Sequence, residues 1–131
     1  MPLVKGPKMK EKNSVLIVDD EFGVRESFRM LLKSYYELFT AQDGEEALKI
    51  LNERKIDLIT LDLNMPKLSG IETLREIRKI DGEVPVIIIT GYGTQKDEEE
   101  ALQYGVTDFI SKPFNTRKII SVIDRILGER I

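Results

Sequence analysis

Five apolar runs, each followed by a segment of helical periodicity, run along most of the chain. The first, Ser14–Val18, precedes a helix expected over Phe22–Ser34, where Val24, Phe28, Leu31 and Leu32 recur at helical spacing. Tyr36–Ala41 reads as a second strand. Asp43-Gly44 then opens a helix, with Glu46 three residues after Asp43 in the manner of a capping box and Ala47, Leu48 and Leu51 as its inner stripe. Ile56–Leu61 is the third strand. Ser69 and Glu72 are spaced to cap the next helix, whose apolar face is Ile71, Leu74 and Ile77. Pro85–Thr90 holds the most continuous apolar run, Val86 to Ile89, as suits a central strand covered on both faces. A helix over Gln95–Tyr104 ends at Gly105, and Thr107–Ser111 is the fifth strand. The last helix spans Asn115–Leu127, with Pro113 near its start, Ile119, Ile120, Ile123 and Leu127 inward, and Gly128 at its end. Parallel strands need crossovers, and crossovers are right-handed. The expected fold is therefore α/β, a doubly wound (βα)5 unit with helices on both faces of a five-stranded parallel sheet in the order 2-1-3-4-5.

The chain has 131 residues, enough for one domain with its own core. Residues 1–13, with Pro2, Gly6, Pro7 and four Lys, are expected to be a flexible tail, and residues 14–131 the domain. That start lacks the apolar segment of a signal peptide, and no stretch approaches the length of a membrane span, so a cytoplasmic location is the default expectation. A net charge of −3 does not favour a nucleic-acid groove. Cys and His are both absent. That excludes disulfides, thiolate or imidazole metal sites, His-dependent hydrolases and a phosphohistidine on this chain. Any metal must be held by oxygen, which points to Mg²⁺, Mn²⁺ or Ca²⁺.

Three marks sit just past three of the runs: Asp19-Asp20, Asp62 and Lys112-Pro113. In a parallel sheet all three project from the carboxyl edge of the strands, where open α/β sheets bind ligands. Three carboxylates and one ammonium in one crevice suit a hard divalent cation and a transferred phosphoryl group. They also leave two uncompensated negative charges, which one divalent cation cancels. Each mark alone has a plainer explanation. Asp20 could cap the first helix, Asp62 could be a turn residue, Lys112 a surface lysine, Thr90 an ordinary strand residue and Phe109 core. Their joint placement is what argues for a site.

The same residues resemble the receiver domain of two-component response regulators, a flavodoxin-like fold. The matching text is Val15-Leu16-Ile17-Val18-Asp19-Asp20-Glu21, then Asp57 to Pro66 with Gly70, then Val86 to Gly91, and finally Phe109-Ile110-Ser111-Lys112-Pro113-Phe114. It covers about Ser14 to Leu127. The resemblance implies a phosphoryl acceptor at Asp62, charged by a sensor histidine kinase, a histidine phosphotransfer protein or a small phosphodonor. It implies Mg²⁺, with Mn²⁺ as a substitute, on Asp20, on Asp62, on Asp19 largely through water, and on the backbone carbonyl of Asn64. Thr90 and Lys112 would hold phosphoryl oxygens, and Phe109 would be the aromatic switch residue that follows Thr90. The readout surface would run from Gln95 to Leu127, and a phosphorylation-linked homodimer through the last helices is a further expectation. Such a domain catalyses its own modification and turns over no outside substrate. Positions 64 and 92 tend to influence phosphoryl lifetime in the family, and Tyr92 is expected either to shield the phosphoryl group or to cover the sheet edge.

The alternative is an aspartyl-nucleophile phosphatase or phosphotransferase, but that class wants an acid two residues after the nucleophile, where this chain has Asn64. A flavin or nucleotide module is disfavoured. The acidic Asp19-Asp20-Glu21 stands where a glycine-rich phosphate loop belongs, and Gly91-Tyr92-Gly93 is in the wrong place for one. The acidic run Asp97 to Glu100 reads first as a solvated helix face and second as a partner contact. No effector domain follows Ile131 here, so a single-domain regulator and a fragment of a longer one are both open. The kinase, the pathway and the output stay open as well.

Overall fold

A computed structural model describes residues 12–91 and 93–128. The expected tail up to residue 11, Tyr92 and residues 129–131 lie outside the described residues. Strands and helices alternate: β1 (Ser14–Val18), α1 (Phe22–Leu32), β2 (Glu37–Ala41), α2 (Gly44–Glu53), β3 (Leu58–Leu61), α3 (Gly70–Ile80), β4 (Val86–Thr90), α4 (Gln95–Gln103), β5 (Asp108–Ser111) and α5 (Thr116–Leu127). All strand pairs are parallel, in the order β2-β1-β3-β4-β5. Fold class and strand order are those read from the sequence.

The sheet sorts side chains by parity. Val15 and Ile17 of β1, Leu58 of β3 and Ile87 and Ile89 of β4 face one way, onto Phe28 and Leu32 of α1 and Ile119, Val122 and Ile123 of α5. Leu16, Val18, Ile59, Leu61 and Ile88 face the other way, onto Ala47 and Leu51 of α2, Leu74 and Ile77 of α3, and Ala101 of α4. Successive strand residues point to opposite faces, so central strands covered on both sides are apolar at nearly every position, Thr60 and Thr90 being the buried polar exceptions on β3 and β4. Each such apolar side chain, fully buried, contributes about 1.5–3 kcal/mol of transfer free energy. The two layers therefore fix the carboxyl edge rigidly.

Helix starts follow local chemistry. Asp43 accepts from the Glu46 backbone N–H at 2.9 Å, and Ser69 with Glu72 forms a complete capping box. Asn115 accepts from the N–H groups of Arg117 and Lys118. It is therefore the cap of α5 and not its first residue, and Pro113 lies in the approach to the helix. Thr94 and Asp97 form a second capping box, on α4. Several helix and strand ends deviate from the periodicity by one or two residues, because side-chain pattern alone does not mark where caps and loops begin. Ile56 is buried although β3 begins at Leu58, and α1 stops at Leu32 before Ser34. Gly105, at φ +75°, follows the C-cap Tyr104 of α4 in the left-handed region. Among the described residues, no helix is long and apolar enough to cross a membrane.

Candidate functional site: an acidic crevice at the carboxyl edge

Parallel register aligns the end of β1 with that of β3 and the end of β4 with that of β5, with β4 running two residues past the partner of Leu61. Val18 pairs with Leu61, Leu61 with Ile88, and Thr90 with Ser111. Backbone bonds continue one residue beyond each strand: Asp19 N–H donates to Ala41 O, Asp62 N–H to Val18 O, and Lys112 N–H to Thr90 O, at 3.0–3.1 Å. The residues carrying charge are thus held by the ladder itself and are not left to loop conformation. Gly70 presses on the same edge. A Cβ there would lie 2.3 Å from Leu63 Cα and 2.6 Å from the Asp62 carbonyl oxygen, so the loop bearing Asp62 can pass the start of α3 only because residue 70 has no side chain.

The expected convergence is present. Asp19, Asp20 and Asp62 each offer a carboxylate oxygen, and these oxygens lie within 4.8 Å of one another. Asp19 and Asp62 are buried and Asp20 is exposed. Lys112 Nζ donates to Asp19 Oδ2 at 2.7 Å and to Asp62 Oδ2 at 3.2 Å. The remaining oxygens are used locally: Asp19 Oδ1 accepts from Glu21 N–H at 2.9 Å, and Asp62 Oδ1 from Asn64 N–H at 3.0 Å. Neither buried carboxylate is left without a donor, as burial of charge demands. The crevice over these groups measures about 710 Å³ and is walled by Val24, Pro113 and Phe114 on its apolar side.

Three carboxylates around one ammonium leave the cluster short of positive charge. Burial pushes the Asp19 carboxyl up, and the charge of Asp62 adds to this, against the hydrogen bonds from Lys112 and Glu21 N–H. Burial would push Lys112 down, yet its bonds and charge contacts with Asp19 and Asp62 prevail and raise it above the ordinary lysine value. Both shifts favour the protonated form, for Asp19 chiefly through burial and for Lys112 through its two carboxylate partners. The donor set is all oxygen, compact and underneutralised, and so fits a small hard divalent cation: oxygens around Mg²⁺ at about 2.0–2.1 Å stand a few ångströms apart.

Two of the plainer single-residue explanations fail. Asp20 does not cap α1. The N-cap is Glu21, which makes no side-chain cap bond, and Asp20 belongs to the acidic cluster. Lys112 is not a surface lysine, since its side chain keeps only 16% of its exposure. Thr90 is buried, and its hydroxyl oxygen accepts from Asn64 Nδ2 at 2.9 Å. Phe109 is half-buried on the side of the sheet carrying α2, α3 and α4. Tyr92 lies outside the described residues, so neither expectation for it is addressed.

Sequence reading missed three contacts. Glu21 Oε1 stands 3.3 Å from Lys112 Nζ, a third carboxylate on one ammonium after Asp19 and Asp62. Arg25 Nη1 donates to the Asp19 carbonyl at 2.8 Å, fixing the loop after β1. The Asn64 side chain reaches Thr90. Glu21 had a signal, being the third acid in a row. Arg25 and the Asn64 amide had none, since both bonds depend on how loops turn.

A sequence profile of the response regulator receiver domain matches residues 15–124. The chain belongs to that family. It is 43% identical over 116 residues to a homolog of the transcriptional regulatory protein CpxR from Haemophilus influenzae, covering 88% of this chain and 50% of that protein. It is 38% identical over 120 residues to a probable transcriptional regulator, ycf27, of Guillardia theta, covering 91% of this chain and 47% of the relative. The chain thus spans about half the length of the curated relatives it matches. Among solved structures, the receiver domain of NtrX from Brucella abortus superposes with a TM-score of 0.80 at 35% identity, covering 88% of this chain and 99% of that one. A response regulator receiver domain from Clostridium thermocellum gives 0.82 at 33% identity, covering 88% and 94%.

Proposed function

We propose that this receiver domain is a Mg²⁺-dependent phosphoryl acceptor, that Asp62 is the residue modified, and that the modification switches the conformation of the domain. The observation carrying the reading is Lys112 Nζ bonded to both Asp19 and Asp62 where three carboxylates converge. In this reading an Asp62 carboxylate oxygen attacks phosphorus. The P–N bond of a phosphohistidine breaks, its electron pair stays on the leaving imidazole nitrogen, and an acyl phosphate forms. With acetyl phosphate, the P–O bond breaks and acetate leaves. Such transfers have loose transition states, so catalysis consists mostly of holding groups and offsetting charge. Bound Mg²⁺, or Mn²⁺ in its place, supplies charge neutralisation, and Asp19, Asp20, Asp62 and the Asn64 carbonyl would hold it.

The chain's own groups do the rest. Lys112 presents a point charge with rotatable donors to a phosphoryl oxygen. Thr90 accepts from Asn64 with its oxygen, which leaves its hydroxyl proton to donate to a second phosphoryl oxygen. Phe109 then follows Thr90, and the surface from α4 to α5 reads out the change. Phosphorylation shifts the balance only through such contacts, which one conformation makes better than the other. A sensor histidine kinase or histidine phosphotransfer protein is the protein partner that fits this chemistry, and a cytoplasmic location goes with it. The domain acts on itself and is not an enzyme in the usual sense. An effector domain on a longer chain and a phosphorylation-linked homodimer belong to the same proposal.

Intact-mass measurement with acetyl phosphate and Mg²⁺ tests it, run beside size-exclusion chromatography. The wild type is expected to gain one phosphoryl group and Asp62→Ala none. No gain in the wild type, or an equal gain in Asp62→Ala, overturns the assignment.

A further inference from the structure

Two glycines flank Tyr92 in the turn from β4 to α4, and their surroundings differ. A Cβ on Gly91 would meet only Lys112 Cβ at 3.7 Å, an ordinary contact. A Cβ on Gly93 would lie 2.9 Å from Thr90 Cγ2, 3.0 Å from Phe109 Cζ and 3.3 Å from Phe109 Cε1. Among the described glycines, only Gly105 and Gly128 take a positive φ. Residue 93 therefore needs to be glycine for space and not for backbone freedom. The space it leaves is bounded by Thr90 and Phe109, the two residues that the proposed switch couples.

Thr90 is two-sided. Its hydroxyl bonds to Asn64, which lines the acidic crevice, and its methyl faces Gly93. It is β-branched and sits in a buried central strand, so its backbone cannot yield and its side chain has few rotamers. The Phe109 ring ends beside the same gap, and a ring tip is free to swing where a strand is not. A movement of Thr90 toward the crevice withdraws its methyl from the gap and enlarges the room for the ring.

We infer that Gly93 is a positioning residue: Thr90 and Phe109 close in on the place its missing side chain would take, leaving less room than a methyl needs, so the size of residue 93 sets whether the phosphoryl state of Asp62 reaches the α4–β5 surface. This rests on the reading of Asp62 as acceptor and of Thr90 and Phe109 as the switch. With a methyl at position 93 the gap is filled permanently. Chemistry at Asp62 proceeds, and the ring no longer responds.

The test uses the full chain labelled with fluorophenylalanine. Five Phe give few fluorine resonances, and that of Phe109 is identified by its loss in Phe109→Leu. Acetyl phosphate with Mg²⁺ is expected to shift the Phe109 resonance in the wild type. In Gly93→Ala, phosphoryl uptake by intact mass is expected at the wild-type rate, and the Phe109 shift is expected to vanish. Thr90→Ser keeps the hydroxyl and removes Cγ2, so Gly93→Ala with Thr90→Ser should recover the shift shown by Thr90→Ser alone. If Gly93→Ala does not fold, as read by circular dichroism, the double variant should fold, because the tightest contact is with the methyl it removes. An unchanged Phe109 shift in Gly93→Ala, or no rescue by Thr90→Ser, overturns the inference. A wild type that takes up phosphoryl without moving Phe109 also overturns it. A wild type that takes up none refutes the parent proposal instead.

Discussion

Lys112 Nζ lies within 3.3 Å of Asp19, Asp62 and Glu21, and so offsets three carboxylates that would otherwise repel one another. Removing one partner of a buried pair costs far more than an exposed ion pair contributes. Lys112→Ala in metal-free buffer is therefore expected to lose about 3 kcal/mol in urea unfolding. Saturating Mg²⁺ should return part of that loss by supplying the missing charge; a variant as stable as the wild type without metal would mean the cluster is well solvated. Asp20→Asn acts in the opposite direction. It removes one charge from an underneutralised group at an exposed position, and a gain of about 0.5–1 kcal/mol without metal is expected, visible as a higher thermal midpoint. At this scale the sequence was informative about which side chains converge, because an acid or a lysine directly after a strand has a defined position. It was uninformative about Glu21 on Lys112 and the Asn64 amide on Thr90, since neither rotamers nor loop paths are written in spacing.

The helices are anchored very unequally. α4 buries only Ala101, and Arg78 of α3 holds its carboxyl end. The Arg78 guanidinium donates to the carbonyls of Tyr104 and Gly105 after α4, and to those of Asp81 and Val84 in the loop before β4. Arg75 of α3 adds a bond to the Tyr104 hydroxyl and an ion pair to Glu100 at 4.0 Å. One fork thus ties two connections together, and the acidic run of α4 is otherwise mostly solvated. Arg78→Ala is expected to cost about 2–3 kcal/mol, since it strands several partly buried carbonyls. Amide exchange should rise chiefly around residues 101–106, and uniform acceleration across the sheet would contradict this account. Gly70→Ala and Gly44→Ala form a second pair. A Cβ at Gly44 meets the Thr73 hydroxyl at 2.1 Å, which a side-chain shift can relieve, whereas at Gly70 it meets the backbone of Leu63 and Asp62. Both should destabilise, by about 1–3 kcal/mol, with Gly70→Ala the worse in urea titration. Caps at Asp43 and Ser69 were legible from side-chain type and spacing, and the Thr94–Asp97 box on α4 has the same signature. The Arg78 fork was not legible, because its acceptors are main-chain carbonyls, which every sequence has.

A cation that binds the folded chain and not the unfolded one stabilises the whole domain by mass action. With Mg²⁺ at about a hundred times its dissociation constant the gain is about 2.7 kcal/mol, and the thermal midpoint should rise with metal concentration. The rise should be absent in Asp62→Ala combined with Asp20→Asn, and a metal-independent midpoint in the wild type would remove the cation from the mechanism. What the sequence determined by itself is the order of five strands and five helices, the parity of the buried positions, and the placement of acids and a lysine after particular strands. Periodicity and capping are local and survive in one dimension. What only the tertiary structure decided is the set of distances: Lys112 on three carboxylates, Asn64 on Thr90, and the gap at Gly93 between Thr90 and Phe109. Those contacts join residues far apart in the chain, and their lengths follow from sheet register and helix packing, which no local pattern encodes.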